Sequence, residues 1–335
     1  MVGSFPRWLM HNDGIGYLDI SNNNLSGLLP KDIGIFLSNV RTLHLSWNSF
    51  EGNIPSSIGK MNLLESLDFS HNNFSGELPK QLAAFTLMLS NNFLSGNIPK
   101  FSNSVVFLFL DNNKFSGTLE DVLGNINTGL GTIPISIGIP YSIVMLDISN
   151  NSISGTIPSS IGMFSNMEAL FLGQNLLEGE IPIEISNMNS LHIMDLSQNK
   201  LIGSIPKFSD MKSLKFLYLG NNSLSGSIPF HLSGNTKLEL LDLTDNKFSG
   251  KIPNWMDKLA ELRVLLLGGN NFKGGIPTQL CLLKKINIMD LSRNLLNASI
   301  PSCFQNWSFG QYDDDYGPIF EISASTNFPI VPDVF

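Results

Sequence analysis

The stretch that decides the fold reads Met194-Asp195-Leu196-Ser197-Gln198-Asn199-Lys200-Leu201-Ile202-Gly203-Ser204-Ile205-Pro206. Variants of this phrase recur from Tyr17 to Cys303, and each carries one asparagine at the same place. From Asn151 onward these asparagines are 24, 24, 23, 24, 24 and 24 residues apart. Such a period predicts a solenoid, in which each coil buries its apolar face against its neighbours. Function is therefore expected on a long surface rather than in one cleft.

Each copy begins with alternating apolar and variable residues, which predicts a short strand with one buried face. Leu217 and Leu219 are expected to point inward and Tyr218 outward. The asparagine then lies at a turn, where its amide can bond the backbone of its own turn and of the next coil. We predict this structural role for twelve residues: Asn23, Asn48, Asn72, Asn92, Asn113, Asn151, Asn175, Asn199, Asn222, Asn246, Asn270 and Asn294.

The second half of each copy contains an apolar residue, a glycine and Ile-Pro, as in Phe248, Gly250, Ile252 and Pro253. Glycine permits a turn that a side chain would obstruct, and proline suits the start of a helical turn. Apolar residues after the proline, such as Ile161, are spaced for a short helical return on the convex side. Each coil is thus predicted to be a strand, a turn, a second extended segment and a helical return.

This phrase resembles the leucine-rich repeat, in particular its plant extracellular subtype with a Leu-Ser-Gly-x-Ile-Pro element. The segment Leu224-Ser225-Gly226-Ser227-Ile228-Pro229 carries that element, and residues 25–27, 74–79 and 153–158 carry close variants. The resemblance implies a leucine-rich-repeat solenoid of the α/β, β-rich class. A parallel β-sheet is expected on the concave face of a curved superhelix, with short helical or 3-10 turns on the convex side.

The repeat pattern assigns about twelve repeats to residues 1–303 and a non-repeat segment to residues 304–335. The interval from Asn113 to Asn151 has 38 residues, too few for two coils and too many for one. Residues 120–143 are therefore expected to be a damaged repeat or a loop. The passage from Ile300 to Gly310 resembles the point where plant receptor-like proteins leave their main repeat array for a non-repeat island. The chain is thus identified as resembling an ectodomain fragment of these kinase-less receptors.

Composition and motifs exclude several classes of function. Charged residues are 14% of the chain, with 20 basic against 28 acidic, whereas a nucleic-acid partner would require a basic stripe. There is no nucleophile elbow, phosphate loop or paired-cysteine metal spacing, so we expect no enzyme activity, cofactor or metal. The aspartates that recur in the strands, Asp147 and Asp195 among them, are interpreted as solvated.

Two cysteines and six glycosylation sequons bear on the compartment. Cys281 and Cys303 lie at nearly the same phase of adjacent coils, where a disulfide and two buried thiols both fit. The sequons are at Asn24, Asn73, Asn150, Asn221, Asn297 and Asn306. Together with the repeat subtype they indicate the extracellular side of the plasma membrane in the full-length protein. The sequence shows neither a signal peptide at its start nor a stretch long and apolar enough to span a membrane.

The variable outward positions of the strands on the concave face are where partner choice is expected to be encoded, because changing them costs little stability. The candidates are Tyr17, His44, Trp47, Phe107, Phe109, Phe171, Asp195, Phe216 and Tyr218. Exposed aromatic side chains are favoured binding anchors. The sharpest cluster combines Phe171, Asp195, Phe216 and Tyr218 within three successive coils, and a peptide or protein ligand is predicted there.

The resemblance implies binding of an extracellular peptide, protein or glycan, followed by signalling through a partner receptor kinase as co-receptor. One alternative is the ectodomain of a leucine-rich-repeat receptor kinase. Two alternatives of other classes are a secreted inhibitor similar to polygalacturonase-inhibiting proteins and a non-functional product of a truncated gene.

Overall fold

The computed structural model describes residues 1–11, 14–99, 101, 104–123, 143–208, 211–297 and 299–306. Within them, one short strand from each of twelve coils joins a single parallel sheet in chain order. This main sheet lines the concave face of the predicted leucine-rich-repeat solenoid. Its strands are Tyr17–Asp19, Thr42–His44, Ser66–Asp68, Thr86–Met88, Phe107–Phe109, Met145–Asp147, Ala169–Phe171, Ile193–Asp195, Phe216–Tyr218, Leu240–Asp242, Val264–Leu266 and Ile288–Asp290.

The second extended segment of each coil also pairs in parallel with its neighbours, as the repeat predicts. Six of these segments form one sheet: Val2–Gly3, Asn24–Leu28, Ser49–Asn53, Asn73–Gly76, Phe93–Asn97 and Lys114–Ser116. Three more form another, namely Ser154–Thr156, Leu176–Glu180 and Lys200–Ile202. The last four are Ser225–Gly226, Lys247–Gly250, Asn271–Gly274 and Leu295–Leu296.

Short helical returns occupy the side opposite the main sheet. The 3-10 helices are Arg7–His11, Ser56–Lys60, Ser159–Met163, Ile183–Asn187, Phe230–Gly234, Asn254–Lys258, Thr278–Leu282 and Ser302–Asn306, and each directly follows a proline. Two α-helical turns span Ile33–Phe36 and Leu119–Leu123. The proline ring holds φ near the helical value and has no N–H to leave unpaired, so it suits this position.

One hydrophobic core runs the length of the coil stack. The inward residue of each main strand, a leucine in all strands but those of Met194 and Met289, packs in it, and Leu43, Leu170 and Leu217 are fully buried there. Phenylalanines from the second segments continue the core between coils: the rings of Phe50 and Phe74 are 6.3 Å apart. Because each coil covers only its neighbours, the apolar contacts stabilise the stack pair by pair.

The ladder asparagines connect the coils through their side-chain amides. The Nδ2 group of Asn175 donates to the carbonyl of Ile148 at 2.9 Å, and its Oδ1 atom accepts from the backbone N–H of Ile153 at 2.9 Å. Both partners belong to the preceding coil. The prediction from the sequence, that this amide bonds the backbone of the next coil, is therefore wrong. The same Nδ2 group also faces the carbonyls of Leu172 and Gly173 in its own turn. Only the backbone N–H of Asn175 reaches forward, to the carbonyl of Gln198.

The strands on either side of the 38-residue interval are direct neighbours in the main sheet, so the interval separates consecutive coils. Phe107–Phe109 pairs directly with Met145–Asp147, and Asn151 accepts from the backbone N–H of Phe115 at 2.9 Å. The sheet and the asparagine ladder therefore cross the interval without a gap. Most of the segment expected to be irregular, residues 124–142, lies outside the described residues, as do residues 307–335.

A disulfide joins the final two coils. Cys281 and Cys303 lie in consecutive 3-10 helices, with their Cα atoms 6.0 Å apart. The coil that this bond holds is the least buried one, because Leu295 and Ile300 are 62% and 69% exposed. The covalent link thus acts where burial contributes least.

We predict that replacing Asn175 with alanine lowers the free energy of unfolding by about 1–3 kcal/mol, because buried backbone groups lose their partners. Urea unfolding followed by circular dichroism measures this. Asn187, which is exposed on a convex helical turn, provides the matched control. Equal midpoints for Asn175→Ala and Asn187→Ala would contradict the structural role.

We also predict that the double variant Cys281→Ala/Cys303→Ala loses roughly 3 kcal/mol of stability, the usual effect of a disulfide that closes a loop of this length. Hydrogen exchange should show the loss first in the coil that contains Leu295. Unchanged exchange in this coil, with the disulfide of the wild type verified by mass spectrometry, would refute the prediction.

Candidate functional site

The concave face consists of parallel columns of side chains, because the main strands pair in register. The residue before each inward leucine forms the first column: Tyr17, Thr42, Ser66, Thr86, Phe107, Met145, Ala169, Ile193, Phe216, Leu240, Val264 and Ile288. The residue after it forms the second column: Asp19, His44, Asp68, Met88, Phe109, Asp147, Phe171, Asp195, Tyr218, Asp242, Leu266 and Asp290.

The C-terminal half of the first column is apolar and forms a cluster separate from the core. We call this cluster the apolar strip: Met145, Ala169, Ile193, Phe216, Leu240 and Val264. Its members are between 2% and 9% exposed, although they stand on the outward side of the sheet. The half-buried side chains that pack against it are Phe107, Phe109, Val144, Phe171, Tyr218 and Leu266.

The predicted four-residue cluster is brought together in three adjacent strands. Phe171, Asp195 and Tyr218 follow one another in the second column. Phe216 is different, because it is 7% exposed and belongs to the apolar strip. The expectation that Phe216 is an exposed anchor is therefore wrong, and its ring supports the column beside it.

Asp147 and Asp195 are not solvated, contrary to the expectation from the sequence. Asp195 and Asp147 are half-buried, and burial raises the pKa of both carboxyls. The neighbouring Asp111 and Asp195 raise the pKa of Asp147 further, to about 7. Hydrogen bonds from Ser149 to Asp147 and from Ser197 to Asp195 act in the opposite direction. Burial also raises the pKa of Tyr218.

A two-coil alternation makes room for Asp195, Asp242 and Asp290, and it was not predicted from the sequence. From Phe171 onward, a coil with Phe, Tyr or Leu in the second column has glycine two residues later, at Gly173, Gly220 and Gly268. A Cβ atom on Gly173 would lie 2.9 Å from Oδ2 of Asp195 in the next coil. The sequence signal for this arrangement was the glycine in the coil before each aspartate: Gly173 before Asp195, Gly220 before Asp242 and Gly268 before Asp290.

A charged row flanks the apolar strip on the N-terminal side of its strands, and the sequence analysis also missed it. Glu239 lies between two basic side chains, 3.7 Å from Nζ of Lys215 and 3.4 Å from Nε of Arg263. These residues directly precede the first-column members Phe216, Leu240 and Val264. The strip is thus bordered by charge on one side and by the second column on the other.

The remaining candidates lie at the N-terminal end of the face, away from the four-residue cluster. Tyr17 is 64% exposed, and its ring meets that of His44 edge-on at 6.2 Å. Trp47 is not a strand residue, contrary to expectation. It occupies the turn directly before Asn48, with φ 53°, a left-handed conformation that is strained for a bulky side chain. Phe107 and Phe109 lie between these residues and the cluster, in the strand that pairs with Met145–Asp147.

The predicted glycosylation sites are accessible where they are described. Asn24, Asn73, Asn150, Asn221 and Asn297 are exposed, whereas the side chain of Asn306 lies outside the described residues. Among the described side chains, no group of three or more His, Cys, Asp or Glu residues is arranged to hold a metal ion. None of the described helices has the length and apolar character needed to cross a membrane.

Comparison with known proteins matches this architecture. Leucine rich repeat family models match residues 15–36, 39–61, 63–85, 142–164 and 212–272. The solenoid is therefore a leucine-rich-repeat fold. Its relatives include receptor-like protein 15 of Arabidopsis thaliana, 45% identical over 111 residues, which are 31% of this chain and 12% of that protein. Receptor-like protein 9a of the same plant is 40% identical over 156 residues, 44% of this chain and 15% of that protein.

These relatives confirm the resemblance to plant receptor-like proteins, and the chain spans less than a fifth of their length. Solved structures agree with the fold. The crystal structure of PEPR1–AtPEP1 has a TM-score of 0.80 and 32% identity, covering 92% of this chain and 42% of that one. The plant peptide hormone receptor RGFR1 in complex with RGF2 has a TM-score of 0.77 and 31% identity, covering 88% and 46%.

A third solved structure includes a further protein. The Arabidopsis receptor kinase HAESA, in complex with the peptide hormone IDA and the co-receptor SERK1, has a TM-score of 0.68 and 29% identity to this chain. The match covers 90% of this chain and 53% of that one. The neighbours thus include ectodomains of plant receptors that bind peptides.

We predict that Asp147→Asn gains stability relative to the wild type as pH rises from about 4 to about 7. In that interval the folded wild type keeps a proton on Asp147 that the unfolded chain has lost, so this carboxyl makes stability fall with rising pH. Thermal melts of both proteins across the interval measure the difference.

Asp290→Asn is the control for the pH experiment. Hydrogen bonds from Ser292 lower the pKa of Asp290, so its contribution is present above the ordinary carboxyl pKa and is lost as pH falls. This variant should not gain stability with rising pH. Parallel melting curves for Asp147→Asn and the wild type would contradict the burial of the Asp147 carboxyl.

Proposed function

We propose that this chain is the ligand-recognition segment of a plant cell-surface receptor and binds an extended peptide along the second column, beside the apolar strip. The observation that carries the proposal is the in-register column of Phe171, Asp195 and Tyr218 over three adjacent strands. The apolar strip lies beside this column and packs against Phe171 and Tyr218, so these side chains are supported from one side. A rigid base of this kind lowers the entropy that binding must overcome.

The chemistry of the column indicates the kind of peptide. The half-buried rings of Phe171 and Tyr218 offer apolar contact area at a low cost in rotamer freedom. The carboxyl of Asp195 lies between them in an environment that disfavours its charged form. A lysine or arginine of the ligand would stabilise the carboxylate there. We therefore propose a peptide with apolar side chains on both sides of a basic one.

The comparisons support the receptor reading. The sequence relatives carry the name of receptor-like proteins, and the structural neighbours include a plant peptide hormone receptor and a receptor kinase in complex with a peptide hormone. We propose that the full-length protein lies at the plasma membrane with this segment outside the cell. The exposed sequons and the Cys281–Cys303 disulfide suit that compartment. Signalling through a receptor-kinase co-receptor, and a binding rather than catalytic role, belong to the same proposal.

The domain assignment is also proposed on this basis. Residues 1–303 form the recognition solenoid, and residues 304–335 are the beginning of a non-repeat island. The sequence relatives favour a receptor-like protein over a receptor kinase. A membrane span with a short tail downstream would suit the former, and a kinase domain would suit the latter.

Selection from a displayed library of linear random peptides tests the peptide site. We expect peptides enriched on the purified chain to bind the double variant Phe171→Ala/Tyr218→Ala at least tenfold more weakly. Phe230, an exposed ring on a convex helical turn, supplies the control variant Phe230→Ala, which should bind normally. Circular dichroism must show that both variants keep the fold. Equal binding to a folded double variant would place the site elsewhere.

A further inference from the structure

The turn residues that precede the ladder asparagines form a ridge along one edge of the concave face. They share a left-handed backbone, because φ lies between 48° and 68° from Asn22 to Arg293. The ridge comprises Asn22, Trp47, His71, Asn91, Asn112, Asn150, Gln174, Gln198, Asn221, Asp245, Gly269 and Arg293. Most of these residues are asparagine, glutamine, aspartate or glycine. Asparagine, aspartate and glycine tolerate this conformation best.

Two aromatic side chains interrupt the amide ridge in adjacent coils. The rings of Trp47 and His71 stack with centroids 3.7 Å apart and planes 12° from parallel. Trp47 remains 58% exposed. A bulky aromatic residue in left-handed backbone is unfavourable, and strain of this kind is concentrated at functional sites. The repeat itself does not require tryptophan here, since asparagine fills the position in four of the other coils on the N-terminal half.

Polar groups continue from the stacked rings in the same direction. Nδ2 of Asn91 lies 3.4 Å from Nε2 of His71, and Nδ2 of Asn150 donates to Oδ1 of Asn112 at 2.6 Å. Adjacent parallel strands are about 4.8 Å apart, so the five coils from Trp47 to Asn150 extend over about 20 Å. The result is a narrow track that begins with an aromatic platform and continues with planar amides.

The geometry points to a binding site for a linear neutral oligosaccharide along this ridge. A pyranose ring has an apolar C–H face, which packs on the face of an aromatic ring, and a rim of hydroxyl groups. Side-chain amides offer both a donor and an acceptor to such hydroxyls. The face of Trp47 that His71 leaves uncovered supplies the platform, and Asn91 and Asn112 supply the amides.

The charges around the ridge favour a neutral glycan over an acidic one. The second column carries Asp19 and Asp68 in the first and third coils, and Asp111 accepts a hydrogen bond from Asn112 at 2.6 Å. Arg41, the basic residue at the start of the neighbouring strand, is paired with Glu65. A polyanionic sugar chain would therefore meet carboxylates along the track.

Trp47→Asn is the informative variant, because asparagine is the residue that other coils use at this position. It removes the platform without disturbing the turn, so we expect its melting temperature to equal or exceed that of the wild type. Calorimetric titration of the full chain with cellohexaose and hexa-N-acetylchitohexaose should show binding of at least one of them. We expect Trp47→Asn to weaken that binding at least tenfold, and Trp47→Tyr to weaken it by less than fivefold.

Two controls separate this site from the proposed peptide site. Phe230→Ala removes an exposed ring on the convex side and should leave oligosaccharide binding unchanged. Phe171→Ala/Tyr218→Ala should also leave it unchanged, while Trp47→Asn should retain the library-selected peptides. Loss of one ligand thus does not affect the test of the other.

Several results would overturn the oligosaccharide site. One is the absence of binding for both neutral hexasaccharides at millimolar concentration. Another is binding that is the same in wild type and folded Trp47→Asn. A third is binding of a hexameric oligogalacturonide in preference to both neutral probes, because it would contradict the charge argument. Selected peptides that require Trp47 would likewise assign the ridge to a peptide.

Discussion

The bond that the rest of the structure depends on is the one from each ladder asparagine to the preceding coil. The turn after each main strand presents carbonyl and N–H groups that neither sheet can pair, and these groups lie at the edge of the core. A single side-chain amide pairs with both kinds of group. In Asn175 the Nδ2 group donates to the carbonyl of Ile148, and the Oδ1 atom accepts from the N–H of Ile153. Because unpaired buried backbone groups are costly, this geometry fixes the separation and register of the coils. The columns of the concave face are in line for the same reason.

Much of the fold could be predicted from the sequence because the same pattern of structural residues recurs in coil after coil. The inward leucines, the asparagines and the proline-led helical turns each recur at a fixed phase. Whether the asparagine bonds to the preceding or to the following coil could not be predicted, since its amide has both donors and an acceptor and can pair with backbone groups of either coil. The continuity of the main sheet across the 38-residue interval could not be predicted either, because spacing along the chain does not reveal that strand Phe107–Phe109 pairs with Met145–Asp147.

The candidate site was predicted less completely, for physical reasons that particular residues show. Alternation places Phe216 on the outward side of its strand, but it does not tell that neighbouring strands cover the ring. The burial of Asp147 and Asp195 has the same origin, since it depends on side chains one coil away. Trp47 was assigned to a strand because its position varies between copies, and variable residues occur in turns as well as in strands. Each error concerns contacts between coils rather than the content of one coil.

The concave face has two chemically distinct halves. Toward the C-terminus, the apolar strip borders a column of aromatic and carboxyl groups, and the surface is suited to peptide side chains. Toward the N-terminus, the first column changes to threonine and serine at Thr42, Ser66 and Thr86, and the aromatic groups move out to the ridge. One repeated scaffold thus presents two kinds of surface.

The backward direction of the asparagine bonds has a consequence for synthesis of the chain. A ribosome releases the N-terminal coil first, and domains can fold while the remainder is still being made. Each new asparagine finds its acceptor and donor on a coil that has already emerged, so the stack can grow one coil at a time. The most recently formed coil then lacks only the backbone hydrogen-bond partners that the following turn will supply. At the last coil the Cys281–Cys303 bond takes over this role, holding covalently the edge that no later strand in the described sheet covers.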